Sequence, residues 1–283
     1  MMALTAILLT FLFFVFKSGV ADDSCEEIML PMCRGLIGYT HTKLPNRFGH
    51  KHQRQVYRFL EPIWPFMDRG CSNNLRLFAC GLTVPKCTTK GNTTKIELPC
   101  KETCFYSKKG CSKDMKSLGM KWPRKLKCKG LKRKKQKNCL KPYPRLKKKR
   151  QPIYAYCQKN TFPMCQNLTF DIGTLPNMFH QSRETEILTE LEQYQRLADS
   201  QCHADLWFLI CGVFRPYCIA SNPFTLPCRE LCEEVRGKCE TTYRKLYGGL
   251  RWPAKLQCHR YPPASSQHTC VIPRDTALIK TTF

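Results

Sequence analysis

The chain has 283 residues, 47 Lys and Arg against 21 Asp and Glu, and 20 cysteines. A net charge of +26 directs it toward polyanions, and an even cysteine count of this size suits an oxidising compartment, not the cytosol. After the N-terminal segment no apolar stretch reaches about 18 residues, which argues against a membrane span.

Residues 3–16 form a short apolar run, followed by small residues at Gly19 and Ala21 and then Asp22-Asp23. This pattern predicts a signal peptide over residues 1–21, cut after Ala21. The expected product is secreted, extracellular or matrix-associated, with all its cysteines paired. The last residues carry neither a greasy tail nor a prenylation box.

The cysteines fall into two sets of ten. Steps between neighbours are 8, 38, 9, 7, 13, 4, 7, 17 and 11 from Cys25 to Cys139, then 8, 37, 9, 7, 10, 4, 7, 19 and 12 from Cys157 to Cys270. Such agreement identifies an internal duplication of one disulfide framework. The domains are therefore read as 22–140 and 157–272, joined by a basic linker at 141–156 and followed by a tail at 273–283. Five bridges per domain, each contributing on the order of 3 kcal/mol, supplement a modest core.

In chain order, residues 55–63 carry Val56, Phe59, Leu60 and Ile63 at helical spacing, with Pro62 and Pro65 ending or kinking the helix. Residues 75–82 read as a short buried segment, and residues 90–94 as a loop. Pro99 precedes a helix whose Cys100, Cys104 and Cys111 share one face. In the second set, residues 183–198 predict one helix with Ile187, Leu188, Leu191, Tyr194 and Leu197 as its apolar stripe. Residues 206–214 form a short buried helix, and a last helix begins after Pro227 and carries Cys228, Cys232 and Cys239. The fold class is mainly α and disulfide-rich.

Charge is concentrated in the first half. Between Lys127 and Arg150, 13 of 24 residues are basic and none is acidic. Lys132, Arg133, Lys134, Lys135 and Lys137 lie between Cys128 and Cys139, which predicts a tied loop. Lys147, Lys148, Lys149 and Arg150 lie in the linker and also resemble a convertase cleavage site. Outside the cell, such a segment meets heparan sulfate or a similar glycosaminoglycan, not nucleic acid. Asn92-Thr93-Thr94 and Asn167-Leu168-Thr169 are glycosylation sequons.

Further motifs repeat with the cysteines. Leu44-Pro45-Asn46-Arg47-Phe48 matches Leu175-Pro176-Asn177-Met178-Phe179. Trp64-Pro65 stands before Cys71, Pro85-Lys86-Cys87 answers Pro216-Tyr217-Cys218, and Trp122-Pro123 answers Trp252-Pro253. With the ten-cysteine order, these residues resemble the frizzled-type cysteine-rich domain, over nearly all of the chain after residue 21.

The resemblance implies two tandem domains of that family and the pairing Cys25–Cys87, Cys33–Cys80, Cys71–Cys111, Cys100–Cys139 and Cys104–Cys128. For the second domain it implies Cys157–Cys218, Cys165–Cys211, Cys202–Cys239, Cys228–Cys270 and Cys232–Cys258. It also implies a Wnt or another lipidated secreted ligand, whose acyl chain lies in an apolar groove. By position that groove uses Ile63, Pro65, Leu82 and Met120 in repeat 1, and Tyr194, Val213, Phe214 and Leu250 in repeat 2. The family's Gln-Phe rim pair is Pro62-Ile63 in repeat 1. Repeat 2 keeps Gln193-Tyr194 but has Gln195-Arg196 where Trp-Pro stands in repeat 1. Ordinary core packing is the competing role for each of these apolar residues.

Full pairing would leave no thiolate for catalysis or zinc, and no phosphate loop or nucleophile elbow is present. No enzyme activity, metal or cofactor is expected. The expected function is a secreted decoy or modulator of Wnt signalling that captures the ligand's acyl chain and is retained by glycosaminoglycans. The alternative is a structural matrix protein that binds acidic polymers and no lipid. The sequence leaves homodimer formation open.

Overall fold

The computed structural model describes residues 24–91, 93–144, 156–166, 168, 172–219, 222–265 and 270–273. It is a mainly α, disulfide-rich molecule of two repeats with five disulfides each. In both repeats the first cysteine is joined to the fifth, the second to the fourth, the third to the eighth, the sixth to the tenth and the seventh to the ninth. The signal-peptide residues, Asn92, Asn167 and Lys147 to Arg150 lie outside the described residues.

Repeat 1 opens with a two-stranded ribbon, β1 (Glu26–Glu27) against β2 (His41–Thr42). Helix α1 (Gln53–Leu60) follows. The Gln55 side chain accepts the N–H groups of Lys51 and His52 at its start, and Val56, Tyr57 and Leu60 turn inward. A 3-10 turn (Glu61–Ile63) leads to α2 (Trp64–Arg69). Pro62 and Pro65 each fall in the first turn of one of these elements, where no N–H is needed, so the chain re-enters helix instead of leaving it. Gly70, at φ 66°, ends α2 in the left-handed conformation.

Helix α3 (Leu75–Thr83) is buried along its whole length. Strands β3 (Lys86–Lys90) and β4 (Thr93–Glu97) pair in register from Lys86↔Glu97 to Lys90↔Thr93. Lys90, Thr93 and Thr94, in the segment read from the sequence as a loop, therefore belong to the paired strands, with Gly91 at φ 57°. Helix α4 (Lys101–Ser117) completes the repeat, its Cys104, Cys111 and Met115 facing the core.

Repeat 2 repeats the plan: β5 (Tyr156–Lys159), β6 (Ile172–Leu175), α5 (Glu184–Glu192), α6 (Gln195–Asp199), α7 (Leu206–Phe214), β7 (Tyr217–Ile219), β8 (Asn222–Pro227), α8 (Arg229–Leu246) and β9 (Cys270–Val271). Its strands form one sheet in the order β5-β6-β7-β8-β9, antiparallel except β8 with β9. The parallel bridge Pro99↔Leu140 is the repeat 1 counterpart of β8 with β9.

The single helix expected over residues 183–198 is divided in two. The Tyr194 N–H bonds Leu191 O, a shorter step than an α-helix uses, and the Tyr247 hydroxyl donates to the Gln193 carbonyl. That carbonyl is drawn out of the helical ladder, so α5 stops and α6 restarts.

Two glycines at equivalent positions set the distance between helices. A Cβ on Gly81 of α3 would lie 2.7 Å from Pro99, and one on Gly212 of α7 would lie 2.6 Å from Pro227. Only a residue without a side chain lets the proline that precedes α4 or α8 approach so closely.

Candidate functional site

The Leu-Pro-Asn-x-Phe motif builds the same loop in each repeat, around a cis Leu-Pro bond. The buried Asn46 Oδ1 accepts the N–H groups of Phe48 and His50, and its Nδ2 donates to Thr83 O at 2.7 Å. Asn177 accepts from Phe179 and Gln181 and donates to Phe214 O at 2.9 Å. The asparagine thus satisfies a carbonyl at the end of α3 or α7 and fixes the phenylalanine beside that end. The Trp-Pro turns are closed alike: Trp122 Nε1 donates to Leu126 O, and Trp252 Nε1 to Leu256 O.

The residues that the resemblance assigns to a groove differ in exposure. In repeat 1, Ile63 and Leu82 are buried, Met120 is half-buried, and Pro65 is exposed on the first turn of α2. In repeat 2, Tyr194, Val213, Phe214 and Leu250 are all buried. Tyr194 and Phe179 bring their rings to 6.1 Å and 5.7 Å from Phe214, respectively. Burial pushes the Tyr194 hydroxyl well above its ordinary range, so it stays protonated.

Beside these residues the two repeats meet. Lys255, just after the second Trp-Pro turn, extends its ammonium to 3.0 Å from Asp68 Oδ2 of α2 and 2.7 Å from Glu190 of α5. The same ammonium lies 4.8 Å from the Trp64 ring centre, 4.7 Å from Phe179 and 5.2 Å from Phe214. Arg76 binds Asp68 at 2.8 Å, and Gln181 bonds Glu190 at 2.8 Å. Two cations thus face two carboxylates, and all four side chains are buried. Burial, the largest influence, raises the Glu190 carboxyl above the usual carboxylate range, against the pull of Lys255.

Around this cluster the repeats meet through Arg251 with Glu61, the Ala254 N–H on the Tyr57 hydroxyl at 2.9 Å, and Gln193 Nε2 on the carbonyls of Pro31 and Arg34. Sequence reasoning missed this contact. One signal was present: Glu190 lies on the apolar face of its helix, three residues after Ile187 and four before Tyr194. A carboxylate there needs a partner.

The counterpart surface in repeat 1 is uncovered. Phe48, His50 and Phe59 form a partly exposed triad with ring centres 5.5–5.9 Å apart, and Lys125, the equivalent of Lys255, stands 5.7 Å from Phe59. The contact between the repeats is therefore head-to-tail, using unlike faces of like domains.

Two stretches, residues 25–135 and 157–265, match the model of the Fz domain. The chain belongs to the Fz-domain family. It contains the domain twice, as tandem frizzled-type cysteine-rich domains. The chain is similar to Frizzled-5 of Danio rerio, 37% identical over 119 residues that make up 40% of this chain and 20% of that protein. It is 29% identical to Frizzled-1 of Xenopus laevis over 120 residues, 42% of this chain and 21% of the relative. The match thus spans about a fifth of each relative's length. Among solved structures, the Smoothened CRD aligns at 27% identity with a TM-score of 0.29, covering 38% of this chain and 88% of that one.

The first Fz domain also carries the basic loop. Lys132, Arg133, Lys134, Lys135 and Lys137 are exposed, and Cys104–Cys128 and Cys100–Cys139 tie the loop to α4 at both ends. Lys101 N–H donates to Lys132 O, and Lys134 N–H to Glu102 Oε2, each at 2.7 Å. Among the described residues, no group of three or more His, Cys, Asp or Glu could hold a metal ion, and no cysteine is free. No helix of the described residues is long and apolar enough to cross a membrane.

Proposed function

We propose that the chain is a secreted binding protein for Wnt or another lipidated ligand, acting as a decoy or modulator of Wnt signalling. Its ligand-bearing domain is repeat 1. The acyl chain lies over Ile63, Leu82 and Met120, with Pro65 at the rim, and repeat 2 serves as the support docked beside it. The observation that carries this reading is the contrast between the two grooves. Met120 is half-buried in repeat 1 whereas its equivalent Leu250 is buried, and Pro65 exposes an apolar ring where repeat 2 exposes Arg196.

Each acyl methylene taken out of water contributes about 0.8 kcal/mol, so a few methylenes on this apolar surface give useful affinity. A protein carrying the ligand-binding module competes with any receptor that presents the same module. The basic loop adds retention at glycosaminoglycans, which keeps the protein concentrated near its source.

The test is binding of the full chain to a Wnt protein with and without its acyl group, at low and high salt. Acyl-dependent binding that survives high salt and is weakened by Met120→Glu supports the reading. Binding that ignores the acyl group and fades with salt replaces it with a matrix protein that holds acidic polymers and no lipid.

A further inference from the structure

The duplication supplies an internal control for the outer face of α4. Residues 101, 105, 108, 109, 112 and 116 recur at helical spacing as one stripe of α4, beside the face that carries the cysteines of the helix and its N-cap. In repeat 1 they are Lys101, Phe105, Lys108, Lys109, Ser112 and Lys116. Among the described residues none of these lysines forms an ion pair, and each is exposed. In repeat 2 the same positions are Arg229, Glu233, Arg236, Gly237, Glu240 and Arg244. There Glu240 binds Arg236 at 2.9 Å and Arg244 at 2.7 Å, and Arg229 Nε donates to Tyr261 O. One scaffold therefore carries a self-neutralised face in repeat 2 and an unpaired cationic face in repeat 1.

We infer that the outer face of α4, continuous with the disulfide-tied basic loop, is the binding surface for a sulfated polysaccharide. This deepens the glycosaminoglycan part of the proposed function and rests on it. From Lys101 to Lys116 the face runs about 22 Å. The loop stands at its N-terminal end, where Lys132 and Lys134 are hydrogen-bonded to the first turn of the helix. The positive end of the helix dipole adds to their charge.

Phe105, midway between Lys101 and Lys109 and 56% exposed, packs edge-on against Tyr106. An exposed aromatic ring among lysines suits a sugar ring, with its apolar face on the phenyl group and its sulfates on the ammonium groups. A lipid surface fits less well. The apolar side of α4 is already spent on the core and held by three disulfides through Cys100, Cys104 and Cys111, leaving no amphipathic face to embed.

The experiment compares full-length variants on immobilised heparin across a salt gradient, with anionic phosphatidylserine vesicles as the second probe. Lys108→Gln, Lys109→Gln and Lys116→Gln together should weaken heparin binding about tenfold near physiological salt and flatten its salt dependence, at roughly twofold per exposed contact. Phe105→Ala should weaken it further, without changing the salt dependence. The gain-of-function partner is Glu233→Phe with Glu240→Ser, which frees Arg236 and Arg244 in repeat 2 and should tighten binding.

If the α4 triple variant elutes with the wild type while Lys132→Gln with Lys134→Gln and Lys135→Gln elutes early, the loop alone binds and the inference falls. A wild type that heparin does not retain defeats the underlying glycosaminoglycan reading instead. Vesicle binding lost with Phe105→Ala, alongside unchanged heparin binding, would make a membrane the partner and overturn the proposal.

Discussion

Lys255 of the second Fz domain and Asp68 of the first form a buried ion pair at 3.0 Å, 187 positions apart in the chain. Their surroundings explain why the pair persists without water. Glu190 takes the other side of the ammonium, Arg76 takes the other side of the carboxylate, and three aromatic rings close over the lysine. A buried charge is tolerated when it is both paired and hydrogen-bonded. Here repeat 1 supplies one carboxylate and one cation, and repeat 2 supplies the other two. Each repeat completes the other's electrostatics.

Lys255→Met leaves Asp68 and Glu190 facing each other with one cation fewer. It should cost about 3–5 kcal/mol, the range for breaking a buried pair on one side. Adding Glu190→Gln should recover part of that loss. Urea denaturation with the disulfides intact measures both, and a loss for Lys255→Met of under about 1 kcal/mol would contradict the buried cluster.

Replacing glycine by alanine inside a helix ordinarily gains about 1 kcal/mol. Gly81→Ala and Gly212→Ala should do the opposite, because the new methyl group meets Pro99 or Pro227 at 2.6–2.7 Å. A net loss of about 1–3 kcal/mol is expected at each position. Thermal unfolding of the two single variants is the check; a raised Tm in either would mean the helices stand further apart than described.

Tyr57 lies at the contact between the repeats, and burial pushes its hydroxyl up to about 12. It therefore remains protonated near neutral pH, and its oxygen accepts the Ala254 N–H at 2.9 Å. Tyr57→Phe removes the acceptor and should destabilise the contact by about 1–3 kcal/mol, the cost of a buried unpaired N–H. Hydrogen exchange at the Ala254 amide should accelerate in the variant. Unchanged protection there would show that the hydroxyl is not its partner.

His50 is held below the ordinary histidine value of about 6.5 by partial burial first and by the Lys125 charge second. Because its folded value is depressed, its contribution to stability is present above about pH 6.5 and is lost as pH falls through the folded value. Lys125→Gln should move the imidazole titration part of the way back up, since burial remains. NMR titration of the His50 ring decides this, and a midpoint at or above the ordinary value would falsify the assignment.

Much of the fold is legible before any coordinates. Cysteine spacing defines the repeats, because a covalent framework tolerates little change in the lengths between its knots. The boundaries of α7 follow from an apolar run with few alternatives. The break at Gln193 and Tyr194 is not legible, because it depends on a hydroxyl from Tyr247, 54 positions away. The groove residues are nameable by position, but their exposure is not. Met120 and Leu250 stand two residues before their Trp-Pro turns and are both apolar, yet Met120 is half-buried and Leu250 is buried.

Local chemistry alone determines the duplicated framework, the helices that carry paired cysteines, and the strongly cationic first half. These properties depend on residue type and short spacing, and covalent bonds or net charge express them in any compact arrangement. Tertiary structure decides the rest: that Met120 is half-buried and Leu250 buried, that Lys255 meets Asp68, and that, among the described residues, Lys101, Lys108, Lys109 and Lys116 of α4 form no ion pair while Arg236 and Arg244 of α8 share Glu240. Those outcomes depend on which surfaces meet in space, and burial and ion pairing vary steeply over the few ångströms that a linear sequence leaves undefined.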